Sequence, residues 1–114
     1  MSDSLAEQLR LNAALIARRL DLGDQADVPR QVDHVLKAPK KSLAALAREL
    51  QGSGFQVHGG TKGLRKAWLE FSREDRVTEA AAAAFTSDIL TIAARHGATY
   101  DGWGAEVIEG PDRR

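Results

Sequence analysis

Three histidines, His34, His58 and His96, and the carboxylates Asp33, Asp88 and Asp101 are the side chains of this 114-residue chain best suited to proton transfer or metal binding. The histidine spacing fits no compact metal motif such as H-E-x-x-H. The chain has no cysteine, which excludes thiolate metal sites and a disulfide framework. A zinc site would need carboxylates assembled by folding. His34 reads as a strand residue with a local hydrogen bond and His58 as a strand end beside a turn. His96 suits a helix C-terminus, where the dipole favours a cation without any catalytic duty. An acid–base pair among the three aspartates stays open, because it depends on distance. Ser53 and Ser87 lack the G-x-S-x-G context of a nucleophile elbow. Gly59-Gly60-Thr61-Lys62-Gly63 holds a lysine but not the spacing of a phosphate loop. It reads as a turn, as does Gly52-Ser53-Gly54. The expectation is a protein that is not an enzyme, with no catalytic residue, no metal and no cofactor.

Binding chemistry is better represented. Trp68 stands beside Arg65 and Lys66, a composition common in interface hot spots. Lys40 and Lys41 fall in the first turn of a predicted helix, where the dipole disfavours cations, a small local cost that usually carries no meaning but can mark a solvated contact surface. The alternative is a single-stranded RNA-binding module that stacks bases on Trp68 and Trp103 beside the basic residues between 62 and 76. Charge is unevenly spread although the net is zero. Arg30 to Arg76 holds ten basic and five acidic residues, and the remainder is acidic by the same margin. Such a surface can steer an acidic partner.

The elements that must position these residues follow from periodicity. Ser4 and Glu7 have capping-box spacing, and a helix is predicted from Ser4 to Leu22. Leu5, Leu9, Ile16 and Leu20 lie on one side of it, and Leu11, Leu15 and Leu22 nearly opposite. The second stripe is covered by a neighbouring element or meets a partner, and homo-oligomerisation through Leu11, Leu15 and Leu22 is one such use. Arg30–Leu36 alternates as a strand, with Val32, Leu36 and His34 on one side. A helix starting at Ala38-Pro39 runs through Leu43, Leu46, Ala47 and Leu50. Phe55–His58 and Ala67–Phe71 form a hairpin, with Leu69 and Phe71 facing the core and Trp68 the other side. A helix from Val77 or Thr78 to His96 carries the stripe Val77, Ala81, Phe85, Ile89 and Ile92, and Gly97 is its left-handed stop. Tyr100–Val107 is the last strand. Its Asp101-Gly102-Trp103-Gly104 is either a turn, a regular alternation that sets Trp103 opposite Tyr100, or a glycine-assisted bulge.

Strand, helix, strand, strand, helix, strand is the order of a ferredoxin-like split βαβ two-layer α+β sandwich. Two helices would cover one face of an antiparallel sheet, and the N-terminal helix is a candidate to cover the other face. The expected divisions are an N-terminal helix and linker over 1–27, the sandwich over 28–109 and a short tail over 110–114. No run is apolar enough to span a membrane, and the N-terminus lacks the features of a secretion signal. A cytoplasmic location is expected.

Tyr100-Asp101-Gly102-Trp103-Gly104, preceded by the helix residues Ile89–His96, resembles the family of regulator of ribonuclease activity B, small bacterial proteins that bind and inhibit ribonuclease E. Val32-Asp33-His34-Val35-Leu36 and Gly54-Phe55-Gln56-Val57 add weaker matches. The chain departs from the family in its basic middle region, in Val35 where a second histidine is usual, and in lacking an acidic tail after Val107, as a divergent short member would. The resemblance implies a ferredoxin-like sandwich and a protein partner, a ribonuclease, regulated by contact and hence a role in RNA turnover. The residues expected to meet a partner are His34, Lys40, Lys41, Arg65, Lys66, Trp68, Tyr100, Asp101 and Trp103.

Overall fold

The computed structural model describes residues 5–109. Ser4 of the expected capping box and the expected tail over 110–114 lie outside them. Helix α1 (Leu5–Asp21) is followed by strand β1 (Arg30–Pro39), a single 3₁₀ turn (Lys40–Ser42) and helix α2 (Leu43–Gly52). The hairpin β2 (Gln56–Lys62) and β3 (Lys66–Asp75), helix α3 (Glu79–Arg95) and strand β4 (Thr99–Ala105) complete the chain. The sheet is antiparallel throughout, in the order β2-β3-β1-β4. With α2 and α3 packed on one face, this is a ferredoxin-like α+β sandwich.

Strands β1 and β3 bury the faces that their alternation predicts. Val32, His34, Leu36 and Ala38 of β1 and Ala67, Leu69 and Phe71 of β3 turn inward. They meet Leu46 and Leu50 of α2 and Phe85, Ile89 and Ile92 of α3. Ala82, one residue on from the predicted Ala81, is the fully buried alanine at the start of the α3 stripe. The Thr78 side chain caps α3 by accepting the Ala81 N–H at 3.1 Å, and Gly97 ends it at φ +64°, as the sequence predicts.

Two boundaries and one packing arrangement differ from expectation. Pro39 closes β1 instead of opening a helix, and the lysines after it form the 3₁₀ turn. Gly59-Gly60-Thr61-Lys62 is not a turn but the second half of β2, and the chain reverses over Gly63–Arg65. The physical reason lies in Gly60. A Cβ there would sit 1.8 Å from the Trp68 carbonyl oxygen, so β2 passes β3 at a distance only glycine permits. Gly59, at φ +111°, adjoins the bulge where the β2–β3 register shifts.

The third difference concerns α1, which packs chiefly on α3 and does not cover the far face of the sheet. Its buried side chains are Asn12, Ile16 and Arg19, spaced i, i+4, i+7 on one stripe. Ile16 is the one predicted stripe residue fully inside; Leu5, Leu11, Leu20 and Leu22 are exposed. Polar residues replace leucine on the packed face because each finds a buried partner, described below.

Candidate protein-interaction surface

The face of the sheet turned away from the helices carries Lys37 and Trp68 toward the end where β1 closes, with Glu70 further in. Lys37 and Trp68 are directly opposed across β1 and β3, and the Lys37 ammonium lies 5.7 Å from the indole centroid, within cation–π range. Gly63 also lies against the ring: a Cβ there would stand 3.2 Å from it. Trp68 remains 36% exposed, and Leu64 in the adjoining turn 89%. Pairing of Pro39 with Lys66 and donation of the Lys40 N–H to the Arg65 carbonyl at 3.3 Å bring the two basic segments together. Lys40, Lys41, Arg65 and Lys66 are all exposed there. Among the described residues none of these four, nor Lys37, is ion-paired to an acid.

The structure thus unites five of the expected contact residues, Trp68, Arg65, Lys66, Lys40 and Lys41, at one end of the sheet. It places the others elsewhere. His34 is 1% exposed and Tyr100 is buried, so neither presents surface to a partner, because both fall on the inward face. The His34 Nδ1 is 2.8 Å from the Tyr100 hydroxyl, and its ring is stacked on Phe71 and set edge-on to Phe55 and Phe85. Burial, helped by the charge of Arg73, lowers the His34 pKa to about 3, so the imidazole is neutral. Burial also raises the Tyr100 pKa above its ordinary value. This neutral pair ties β1 to β4 and has no polar partner beyond itself at His34 Nε2.

Trp103 lies on the same face as Tyr100. Gly102, at φ +113°, absorbs a bulge where the register with β1 skips Asp101. The bulge, and not strict alternation or a turn, describes this strand. Trp103 meets Phe85 edge to face at 5.5 Å, and its indole N–H donates to Asn12 Oδ1 at 2.9 Å. Asn12 in turn donates to the Thr86 hydroxyl at 2.9 Å. The Arg19 guanidinium stands 5.7 Å from the Trp103 centroid and donates to the Glu106 carbonyl at 2.8 Å. Asp101 is exposed at the sheet edge.

A buried charge cluster fixes the linker beside α1. Asp24 accepts from Arg30 at 2.5 Å and from the Ile108 N–H at 2.9 Å, and Arg19 is 3.5 Å away. Burial opposes its ionisation, but these donors and the arginine charges outweigh it and lower its pKa. Arg30 also donates to the carbonyls of Gln25, Val28 and Glu106. Sequence reading does not find Asn12, Arg19, Asp24 or Arg30, because polar residues on a helix or in a linker normally mark the solvated side. The i, i+4, i+7 spacing of Asn12, Ile16 and Arg19 is the signal that was available.

Among the described residues no three metal-ligating side chains converge, and no helix is long and apolar enough to cross a membrane. His58 spends its Nε2 on Ser72 Oγ at 2.6 Å, and His96 spends its own on Glu49 at 2.7 Å.

Fold and surface together define a small ferredoxin-like α+β sandwich with an exposed tryptophan and a cluster of cations at one end of its sheet. Residues 10–105 match the family described as regulator of ribonuclease activity B, and the chain belongs to that family. The family is one of regulators, and the chain is accordingly a non-catalytic protein. A comparison with curated proteins returns no match.

Proposed function

We propose that the protein modulates a ribonuclease of the ribonuclease E kind by direct contact, and that the basic, aromatic end of its sheet is part of the contact surface. Family membership supports the class of target. The observation that carries the surface is Trp68, half-exposed beside Lys37 and Gly63, with four further cations near it. An aromatic anchor with a cationic rim suits an acidic partner surface, where the aromatic supplies buried area and the charges supply orientation and on-rate. The far face of the sheet, left open by α1, gives a partner room to reach it.

A single-stranded RNA platform built on both tryptophans is less well supported. Trp68 faces outward on β3, whereas Trp103 is turned toward α1 and α3. They cannot stack neighbouring bases together.

Affinity capture from bacterial extract with the wild-type chain, with and without nuclease, separates the two. Recovery of a ribonuclease under both conditions, lost with Trp68→Ala or with Lys40→Glu and Lys41→Glu together, supports the reading. Loss of every partner on nuclease treatment turns the assignment to RNA.

A further inference from the structure

Among the described residues β4 is the outermost strand of the sheet, hydrogen-bonded on one side only, to β1. An edge strand exposes alternate N–H and C=O groups, and proteins usually blunt it with lysine, proline, a bulge or a covering element; of these β4 carries a bulge, at Gly102. Thr99–Ala105 contains neither lysine nor proline. Beside it a groove of about 340 Å³ follows five consecutive β4 residues, Thr99 to Trp103, with α1 as the opposite wall. That shape fits an extended backbone.

The walls differ in chemistry. On the α1 side stand Leu11, 47% exposed, and Leu15. The charged side chains lining the groove are Glu7 and Asp101, both acidic. Asp101 lies on the opposite side of β4 from the buried Tyr100, as strand alternation requires. A Cβ placed on Gly102 or Gly104 would meet nothing within 4 Å, so an incoming chain can come close to this stretch of backbone. Asn12 and Trp103, both lining the groove, are joined there by a hydrogen bond of 2.9 Å.

We propose that this groove binds an extended partner segment of alternating apolar and basic residues, which adds a fifth strand to the sheet at β4. Its backbone pairs with the free edge of Thr99–Trp103. Its apolar side chains, all on one face, lie against Leu11 and Leu15. Its lysines or arginines, on the other face, meet Asp101. Charge separates this site from the basic end around Trp68: the two surfaces select segments of opposite sign. The inference rests on the protein-binding reading and adds a second contact to it. Its test uses a free peptide, so its failure leaves the ribonuclease capture to be judged on its own result.

The probe is an eight-residue peptide of alternating valine and arginine, compared with one in which glutamate replaces arginine. Amide chemical shifts of the full chain are followed by NMR during titration. The basic peptide is expected to move Thr99–Gly104 together with residues 7–15, and the acidic peptide to leave them in place. Asp101→Lys should weaken binding about tenfold by setting like charges together. Leu11→Glu, at an exposed site that does not endanger folding, should weaken it comparably. Equal binding of the acidic peptide, shifts confined to the Trp68 end, or no effect of either variant overturns the proposal. Movement of the same residues on concentrating the chain without peptide also overturns it, by giving the edge to a second copy.

Discussion

Asn12 and Trp103 meet through a single hydrogen bond of 2.9 Å that joins the first helix to the last strand. The same amide donates to Thr86 on α3, so one buried side chain satisfies groups on two other elements. Removing it leaves the indole N–H and the Thr86 hydroxyl without that partner, and an unsatisfied buried polar group costs about 1–3 kcal/mol. Asn12→Leu fills most of the volume but restores neither bond. It is expected to lower stability to urea by roughly that amount and to change the Trp103 fluorescence before the global transition. A variant as stable as wild type, with unchanged emission, would show that the bond contributes nothing net.

His34 makes stability depend on acidity. Its ordinary pKa is 6.5, and in the folded chain it is lowered to about 3. The unfolded state therefore binds a proton between those values while the native state does not. The contribution is complete above pH 6.5 and is lost progressively as pH falls toward 3. Across that window the His34 slope approaches ~1.4 kcal/mol per pH unit. His34→Phe keeps an aromatic ring in the phenylalanine cluster and removes the titration. Urea melts of the two chains at pH 7, 6, 5 and 4 should diverge in pH dependence, with the variant flatter. Parallel curves would mean that His34 titrates normally when folded.

Glu49 joins the C-terminal ends of α2 and α3 by accepting from Arg95 and lying 2.7 Å from His96 Nε2. The hydrogen bond from Arg95, then that from His96, lowers its pKa from 4.5 to about 2. The sign runs opposite in origin to that of His34 but in the same direction of pH. Stabilisation is present above 4.5 and is lost as the solution is acidified through 2. Glu49 is open to solvent, so the expected effect is local. Glu49→Gln should speed amide exchange over Leu50–Gly54 and Arg95–Ala98 at neutral pH and leave the centre of α3 protected. Unchanged exchange at both helix ends would remove the clamp from the account.

The strand–helix order, the core stripe of α3 and the inward Leu69 and Phe71 were legible because burial writes itself as period two or 3.6. So was Thr78, whose cap chemistry is local. What escaped depended on contacts between distant segments. Nothing near Asn12 in sequence announces Trp103, and Asp24 looks like a solvated linker acid until Arg30, Arg19 and the Ile108 N–H surround it. His34 and Tyr100 drew notice as polar residues with possible contacts, but register decided their fate. The bulge at Gly102 sets Tyr100 and Trp103 on one face, which periodicity alone cannot choose. The contact surface was half legible: Arg65, Lys66 and Trp68 are neighbours in sequence, whereas their union with Lys40 and Lys41 needs the pairing of β1 with β3.

Gly60 and Gly63 flank the same tryptophan and should respond differently to the same change. At Gly60 an added Cβ would stand 1.8 Å from the Trp68 carbonyl oxygen. That atom belongs to the backbone of the sheet and cannot swing aside, so β2 must separate from β3. Overpacking and lost strand pairing make a cost of roughly 2–4 kcal/mol for Gly60→Ala. At Gly63 the nearest atom is on the Trp68 ring, 3.2 Å away, and the half-exposed ring can tilt. Gly63→Ala should cost under about 1 kcal/mol while displacing the indole from its seat beside Lys37. The measurement is a paired one, urea stability and affinity for the captured ribonuclease on both variants. Gly63→Ala should retain the fold and lose affinity, which would place the ring's orientation, and not the integrity of the sheet, at the centre of recognition. Full affinity with a folded Gly63→Ala chain would show that the partner does not read the seated position of Trp68.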